Sequence, residues 1–181
     1  VGAAFESVYG ASTGATDVSV APALKKYFSY DNGVSYLIRD FYSEQEWTDR
    51  LFTEFENRRP VAYGGLTKKW EGHFFVLDGV NEDGYFHVNW GWSGMEDGYY
   101  LLSLLEPGSQ GIGGADSGTA FHYGQNMIVG IQKPVEGSKE QVSFTSDYLT
   151  KFEKTVGRQG TATLKANEVW NNSATACKAN L

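Results

Sequence analysis

Three histidines offer this sequence titratable chemistry near neutral pH: His73, His87 and His122. Imidazole can act as general base, as proton donor or as the cationic partner of a thiolate. A single histidine in a strand is more often structural, so its neighbours decide. His73 has the better ones. Gly72, just before it, leaves no side chain where a substrate backbone could approach. The runs His73–Asp78 and Tyr85–Trp90 flank the turn-rich Val80-Asn81-Glu82-Asp83-Gly84, a hairpin signal. With the turn centred near residues 81–82, opposed residues sum to about 162–164, which sets His73 across from Asn89 or its neighbour, Cβ atoms about 4.5–5.5 Å apart. The pattern therefore predicts that His73, Asn89 and Trp90 meet at the open end of one hairpin.

Such a cluster has a chemical meaning. An imidazole working as base or thiolate partner needs its second nitrogen held by an oriented acceptor. A side-chain amide oxygen does this without adding charge, and an adjacent indole would keep water from that hydrogen bond. The pattern equally fits a core hairpin in which Asn89 caps a strand and the aromatics only pack.

Three stretches carry a resemblance: Gly72-His73-Phe74-Phe75-Val76-Leu77-Asp78-Gly79, then His87-Val88-Asn89-Trp90-Gly91-Trp92-Ser93-Gly94, then Asp97-Gly98-Tyr99-Tyr100-Leu101. Together they resemble the histidine-bearing half of the streptopain family, secreted bacterial cysteine endopeptidases with a papain-like fold. The likeness runs over roughly residues 1–134. It implies a catalytic role for His73 and places Asn89 and Trp90 as the pair beside that histidine, one or the other of which orients it. It implies that the backbone of Gly72 binds substrate. The Ser12-Thr13-Gly14-Ala15 loop resembles the segment that runs alongside the bound peptide, with Ala15 at the backbone-contact position. The Gly108–Gly118 stretch resembles a loop overhanging the cleft; six glycines between 108 and 124 suit a lid. The expected partners are a peptide or protein substrate, a Cys-bearing segment or chain of the same precursor, and an inhibitory propeptide. No cofactor and no metal are expected.

One departure from that pattern is large. The family's nucleophilic cysteine precedes its histidine, whereas the one cysteine here, Cys177, lies 104 residues after His73 in a polar tail without a matching motif. A terminal free thiol is its simplest account. The resemblance therefore implies an enzyme whose nucleophile lies on a segment upstream, with this chain a cleavage product or a truncated piece. The start, Val1-Gly2-Ala3, shows no initiator Met and no basic stretch before an apolar run, which fits the same expectation. The rival function class is a non-catalytic secreted binding or adhesion module of papain-like descent, in which some of the 11 Tyr and 5 Trp would form a docking platform.

The elements that must position the histidine read as follows. A short helix is predicted around Pro22–Phe28, with Pro22 in its first turn and Leu24, Tyr27 and Phe28 sharing a face. Val34–Arg39 reads as a strand. Ser43-Glu44-Gln45-Glu46 is a capping box, and behind it Trp47, Leu51, Phe52 and Phe55 recur at helical spacing, predicting a helix over 44–57 that Pro60 terminates. From residue 60 the pattern turns to strands: 60–64, 73–78, 85–90, 98–103 and 125–131. Helices first and antiparallel strands after predict an α+β, papain-like half with a sheet of barrel-like character.

The chain's 181 residues suit one domain with an appendage. Its formal net charge of −7 argues against nucleic acid. No apolar run approaches the roughly 18–20 residues that cross a bilayer. A single cysteine excludes an intramolecular disulfide. Charge is uneven: residues 1–134 hold 9 basic and 17 acidic side chains, residues 135–181 hold 6 and 5. With the Lys133–Ser138 punctuation, this predicts a boundary after residue 134 and a C-terminal extension, 135–181, whose segments 141–144 and 161–166 alternate like strands.

Overall fold

The computed structural model describes residues 2–10, 14–108 and 120–139, together with the backbone of four short strands beyond them. Helix α1 (Val20–Phe28) and strand β1 (Ser35–Ile38) come first, then helix α2 (Glu44–Glu56). Strands β2 (Val61–Leu66), β3 (Gly72–Val80), β4 (Phe86–Asn89), β5 (Gly98–Tyr100) and β6 (Tyr123–Val129) follow. They form one antiparallel sheet of six strands in the order β1-β6-β2-β3-β4-β5. The sheet is open, with β1 and β5 as its edges, so the class is α+β but the barrel-like closure expected from the sequence is absent.

Helix α2 begins where its sequence says it should. Ser43 Oγ accepts from the Glu46 N–H at 3.2 Å, and Glu46 Oε2 accepts from the Ser43 N–H at 2.9 Å, so two otherwise unpaired donors are satisfied reciprocally. Trp47 and Leu51 then point into the core against Tyr63, Phe75 and Leu77. The Trp47 indole N–H donates to the Tyr63 hydroxyl at 2.9 Å, which gives both buried polar atoms a partner. Phe52 sits at the rim, stacked on Phe86. Past the helix, Glu54 receives Arg59 in a two-pronged ion pair at 2.8 Å, and its Oε2 also accepts the Gly130 N–H at 2.9 Å. This carboxylate locks the end of α2 to the end of β6.

The other face of the sheet carries a smaller core, in which Ala21 of α1 packs with Val34, Tyr36 and Ile128. Here the expected helix face is corrected. Ala21 and Ala23 are the buried positions of α1, Leu24 is half-buried, Tyr27 is exposed, and Phe28 stacks on Phe5 at 5.8 Å. A nine-residue helix lying on an open sheet buries its small residues and leaves a shallow apolar trough beside them. Strand β5 is also shorter than predicted, because a turn at Leu101, which accepts from the N–H groups of Leu104 and Leu105, ends it at Tyr100.

Residues 131–138 do not hang free. Asp31, almost wholly buried, accepts from the Val135 N–H at 2.8 Å and from the Ser138 hydroxyl at 2.7 Å. These bonds hold its carboxyl below the usual carboxylate range. Beyond, β7 (Phe144–Ser146) pairs with β10 (Val169–Asn171), and β8 (Leu149–Lys151) with β9 (Leu164–Ala166), both antiparallel. Of the predicted strand segments 141–144 and 161–166, Phe144 begins β7 and Leu164–Ala166 is β9, while residues 141–143 and 161–163, and Cys177, lie outside the described residues.

Candidate active site

His73 occupies the second position of β3, at the end of the strand that faces away from the hairpin turn. Its Nε2 lies 2.8 Å from the backbone carbonyl of Trp90. A carbonyl only accepts, so Nε2 carries the hydrogen and the neutral ring presents Nδ1 as its basic nitrogen. Around it the ring is walled by aromatics: Trp92 stacks on it at 4.8 Å between centroids, Phe121 at 5.6 Å and Trp90 at 6.2 Å. Burial among these rings lowers the His73 pKa, and the Trp90 carbonyl opposes that only in part.

The hairpin register differs from the one expected. Val76, not His73, pairs with Asn89, and Val80 pairs with Phe86. Two local features move it. Asn81 Oδ1 accepts from the N–H groups of Asp83 and Tyr85, which widens the turn to Asn81–Tyr85. A bulge between Leu77 and Gly79 then moves the ladder back by one residue, which leaves Asn89 opposite Val76. Continued past the end of β4, this register brings residue 92 level with His73, in accord with the Trp92 stack.

Asn89 consequently does not touch His73. Its side chain is exposed and its Oδ1 accepts from the Gly91 N–H at 2.9 Å. This Asx turn, with Gly91 in the left-handed region at φ 76°, bends the chain so that the Trp90 carbonyl faces the imidazole. Trp90 is placed by its backbone, while its indole is fully buried.

A cleft of about 680 Å³ opens beside His73. Gly72, Ala15 and Gly14 line it with His73, and Leu66, Phe74, Val20 and Leu24 supply apolar walls. Thr13 lies outside the described residues, as does nearly all of the glycine-rich stretch after Gly108. A Cβ added at Gly72 would approach a Leu66 methyl carbon to 3.2 Å, so a side chain there would crowd the cleft wall. His87 and His122 stand apart from this cleft: His87 Nδ1 pairs with Asp78 at 2.5 Å, and His122 packs on Tyr123. Among the described residues, no three His, Cys, Asp or Glu side chains converge as metal ligands.

An imidazole with a fixed tautomer, at the mouth of a cleft floored by small residues, is the arrangement found in hydrolases that use a separate nucleophile. Residues 1–100 match the peptidase C10 family. The chain belongs to that family. Streptopain of Streptococcus pyogenes is 38% identical over 133 residues, 73% of this chain and 33% of streptopain. The thiol protease/hemagglutinin PrtT of Porphyromonas gingivalis is 39% identical over 120 residues, 66% of this chain and 14% of that protein. In three dimensions the chain resembles active wild-type interpain A, a cysteine protease of Prevotella intermedia, with a TM-score of 0.64, 35% identity, and coverage of 72% of this chain and 52% of interpain A. The prointerpain A fragment 39–359 matches with a TM-score of 0.56 and 33% identity, covering 72% of this chain and 38% of the fragment. The chain thus spans about a third of the length of streptopain. Its relatives are cysteine peptidases, and the α+β fold is of the papain-like kind.

Within this C10 half, three residues that sequence reasoning left without a role help build the site. Asp97 Oδ1 accepts the Trp90 N–H at 2.9 Å, one peptide unit from the carbonyl that receives His73. The Asp-Gly pair opening β5 was its only signal. Phe121 forms the imidazole's outer wall, and Gly65 makes room for it: a Cβ at Gly65 would meet the Phe121 carbonyl oxygen at 2.3 Å. Nothing local in the sequence links residues 65, 73 and 121.

Proposed function

We propose that this chain carries the histidine half of a cysteine endopeptidase whose nucleophilic thiol lies on a segment of the same precursor upstream of residue 1. The observation that carries this reading is the His73–Trp90 hydrogen bond at the rim of the cleft. It leaves Nδ1 as the nitrogen available to a thiol. In the assembled enzyme the thiolate, paired with the His73 imidazolium, attacks the peptide carbonyl. The C–N bond breaks as His73 gives its proton to the leaving amine, and a thioester remains. Water, deprotonated by His73, then cleaves the thioester and releases the acid. Gly72, Gly14, Ala15 and Thr13 hold the substrate backbone extended. Trp90, through its carbonyl, and Asn89, through the turn that aims it, position the ring.

As in its relatives' names, this is a thiol protease, and the prointerpain fragment suggests by analogy a precursor held inactive by a propeptide. A secreted bacterial location follows from the same analogy. Among the described residues no helix is long and apolar enough to cross a membrane. The division after residue 134 leaves 135–181 as an extension outside the peptidase half. An adhesion module is less well supported, because Trp47, Trp90 and Trp92, which a docking platform would expose, are core residues.

The test is His73→Ala in the protein that contains the upstream segment. Casein hydrolysis is expected to vanish while the melting temperature is kept; undiminished hydrolysis overturns the reading.

A further inference from the structure

The cleft beside His73 is walled mainly by apolar side chains. Val20, Leu24, Ala62, Phe74 and Ile131 wall it, and among the residues lining it Asp17 holds the one carboxylate and His73 the one other titratable group. Asp17 stands just before α1, yet it does not cap the helix: neither Thr16 nor Ser19 makes a side-chain cap, and the Asp17 carboxylate turns across the sheet instead. Its Oδ2 accepts from Asn126 Nδ2 at 2.6 Å, a partner 109 residues away on β6. Asn126 is itself 5% exposed, and its Oδ1 has no partner, so this amide is held in place at a cost that folding does not obviously return.

A carboxylate set into an apolar wall is unfavourable unless a cation meets it. None of the lining residues carries a permanent positive charge. Burial raises the Asp17 pKa despite the Asn126 hydrogen bond, and the nearby carboxylate in turn helps raise that of buried Tyr36. The site therefore has a carboxylate and an apolar approach to it, and its lining holds no cation. A lysine or arginine side chain supplies both halves: its methylene stem lies on Val20, Leu24 and Phe74 while its charged head reaches the carboxylate.

Resting on the peptidase reading above, we infer that Asp17, fixed by Asn126, is a specificity-determining residue that selects a lysine or arginine side chain in the substrate position entering this cleft. An extended peptide lying along Gly72 and Ala15 turns alternate side chains to one side, so one position within a few residues of the scissile bond fills the pocket. The preference belongs to the bound substrate and to no step of the chemistry.

The experiment uses the matured enzyme with its upstream segment and fluorogenic peptides in which one position at a time carries Lys, Arg, Leu or Glu. At one position the native enzyme is expected to favour Lys and Arg over Leu, and Asp17→Asn to lower the ratio of kcat/KM for the basic peptides to that for the Leu peptide by about tenfold or more, mainly through KM. Asp17→Glu, which keeps the carboxylate, is expected to retain the preference, which guards against a trivial effect on folding. No basic preference at any position, or a preference that survives Asp17→Asn, overturns the inference while the peptidase reading stands. His73→Ala, run beside them, tests that reading separately: if it still cleaves every peptide, the reading falls whatever Asp17 does.

Discussion

Asp97 and His73 are joined through a single residue: the Asp97 carboxylate takes the Trp90 N–H at 2.9 Å, and the Trp90 carbonyl takes the His73 Nε2–H at 2.8 Å. The imidazole is therefore oriented by a residue whose backbone N–H and carbonyl are both tied down. Asp97→Ala leaves a buried N–H unpaired, which costs about 1–3 kcal/mol of stability. If Asp97 also positions the ring, kcat falls while KM holds, and Asp97→Asn, which keeps an acceptor oxygen, restores much of the rate. Equal loss in kcat and KM, or no rescue by Asn, would reduce Asp97 to a purely structural residue.

The burial of His73 sets its titration in this chain alone. Desolvation lowers the folded-state pKa below the ordinary 6.5, so the ring is neutral in the folded chain at pH values where the unfolded chain is already protonated. Between the two pKa values the unfolded state binds more protons, so stability rises with pH. His73's contribution is present above about 6.5 and fades as pH falls through that range. Nitrogen-15 spectra of the imidazoles should show a His73 pKa below 6.5 and an Nε2–H tautomer at pH 8. An Nδ1–H tautomer would contradict the Trp90 hydrogen bond.

Much of the scaffold is legible because its causes are local. The Ser43/Glu46 box marks the start of α2 within three residues, and Trp47 and Leu51 follow at helical spacing to the core. The hairpin was visible too, from His73–Asp78, Tyr85–Trp90 and the polar turn between them. Its register was not. One side chain, Asn81, captured two amides and widened the turn, and a bulge gave back one residue of that shift, which left Asn89 opposite Val76 and not His73. The motif pointed to residues 73, 89 and 90, and the register arranges them differently: His73 meets the Trp90 backbone carbonyl, and Asn89 closes a turn. Phe121 beside His73 and Asn126 beside Asp17 were beyond reach, since each pair meets only once the whole sheet is assembled.

The buried Glu54–Arg59 pair is expected to matter for stability and not for catalysis. Glu54→Ala leaves the half-buried Arg59 guanidinium with Gln132 alone and strands the Gly130 N–H, and removing one partner of a partly buried pair costs up to about 3–5 kcal/mol. Urea unfolding should show this as a lower midpoint. Arg59→Met paired with Glu54→Met should recover part of the loss, because two apolar side chains leave no uncompensated charge. A double variant as unstable as Glu54→Ala would mean that the Gly130 contact, and not the ion pair, carries the effect.

Asn89 distinguishes two ways of holding the imidazole. If its amide orients His73 directly in the assembled enzyme, any change of side-chain chemistry should disable the ring. The geometry assigns it another task, because its Oδ1 is engaged by the Gly91 N–H at 2.9 Å and its side chain is exposed. Asp accepts the same hydrogen bond and favours the same turn. Asn89→Asp is therefore expected to keep most of the native kcat, whereas Asn89→Ala, which cannot close the turn, loosens the Trp90 carbonyl and lowers kcat by about tenfold or more with little change in KM. The pH profile separates the cases further. With the carbonyl displaced, His73 loses the hydrogen bond that favours its cationic form, so its pKa in Asn89→Ala shifts down while that in Asn89→Asp does not. Equal inactivation by Asp and Ala would show that the amide itself meets the ring once the upstream segment is in place.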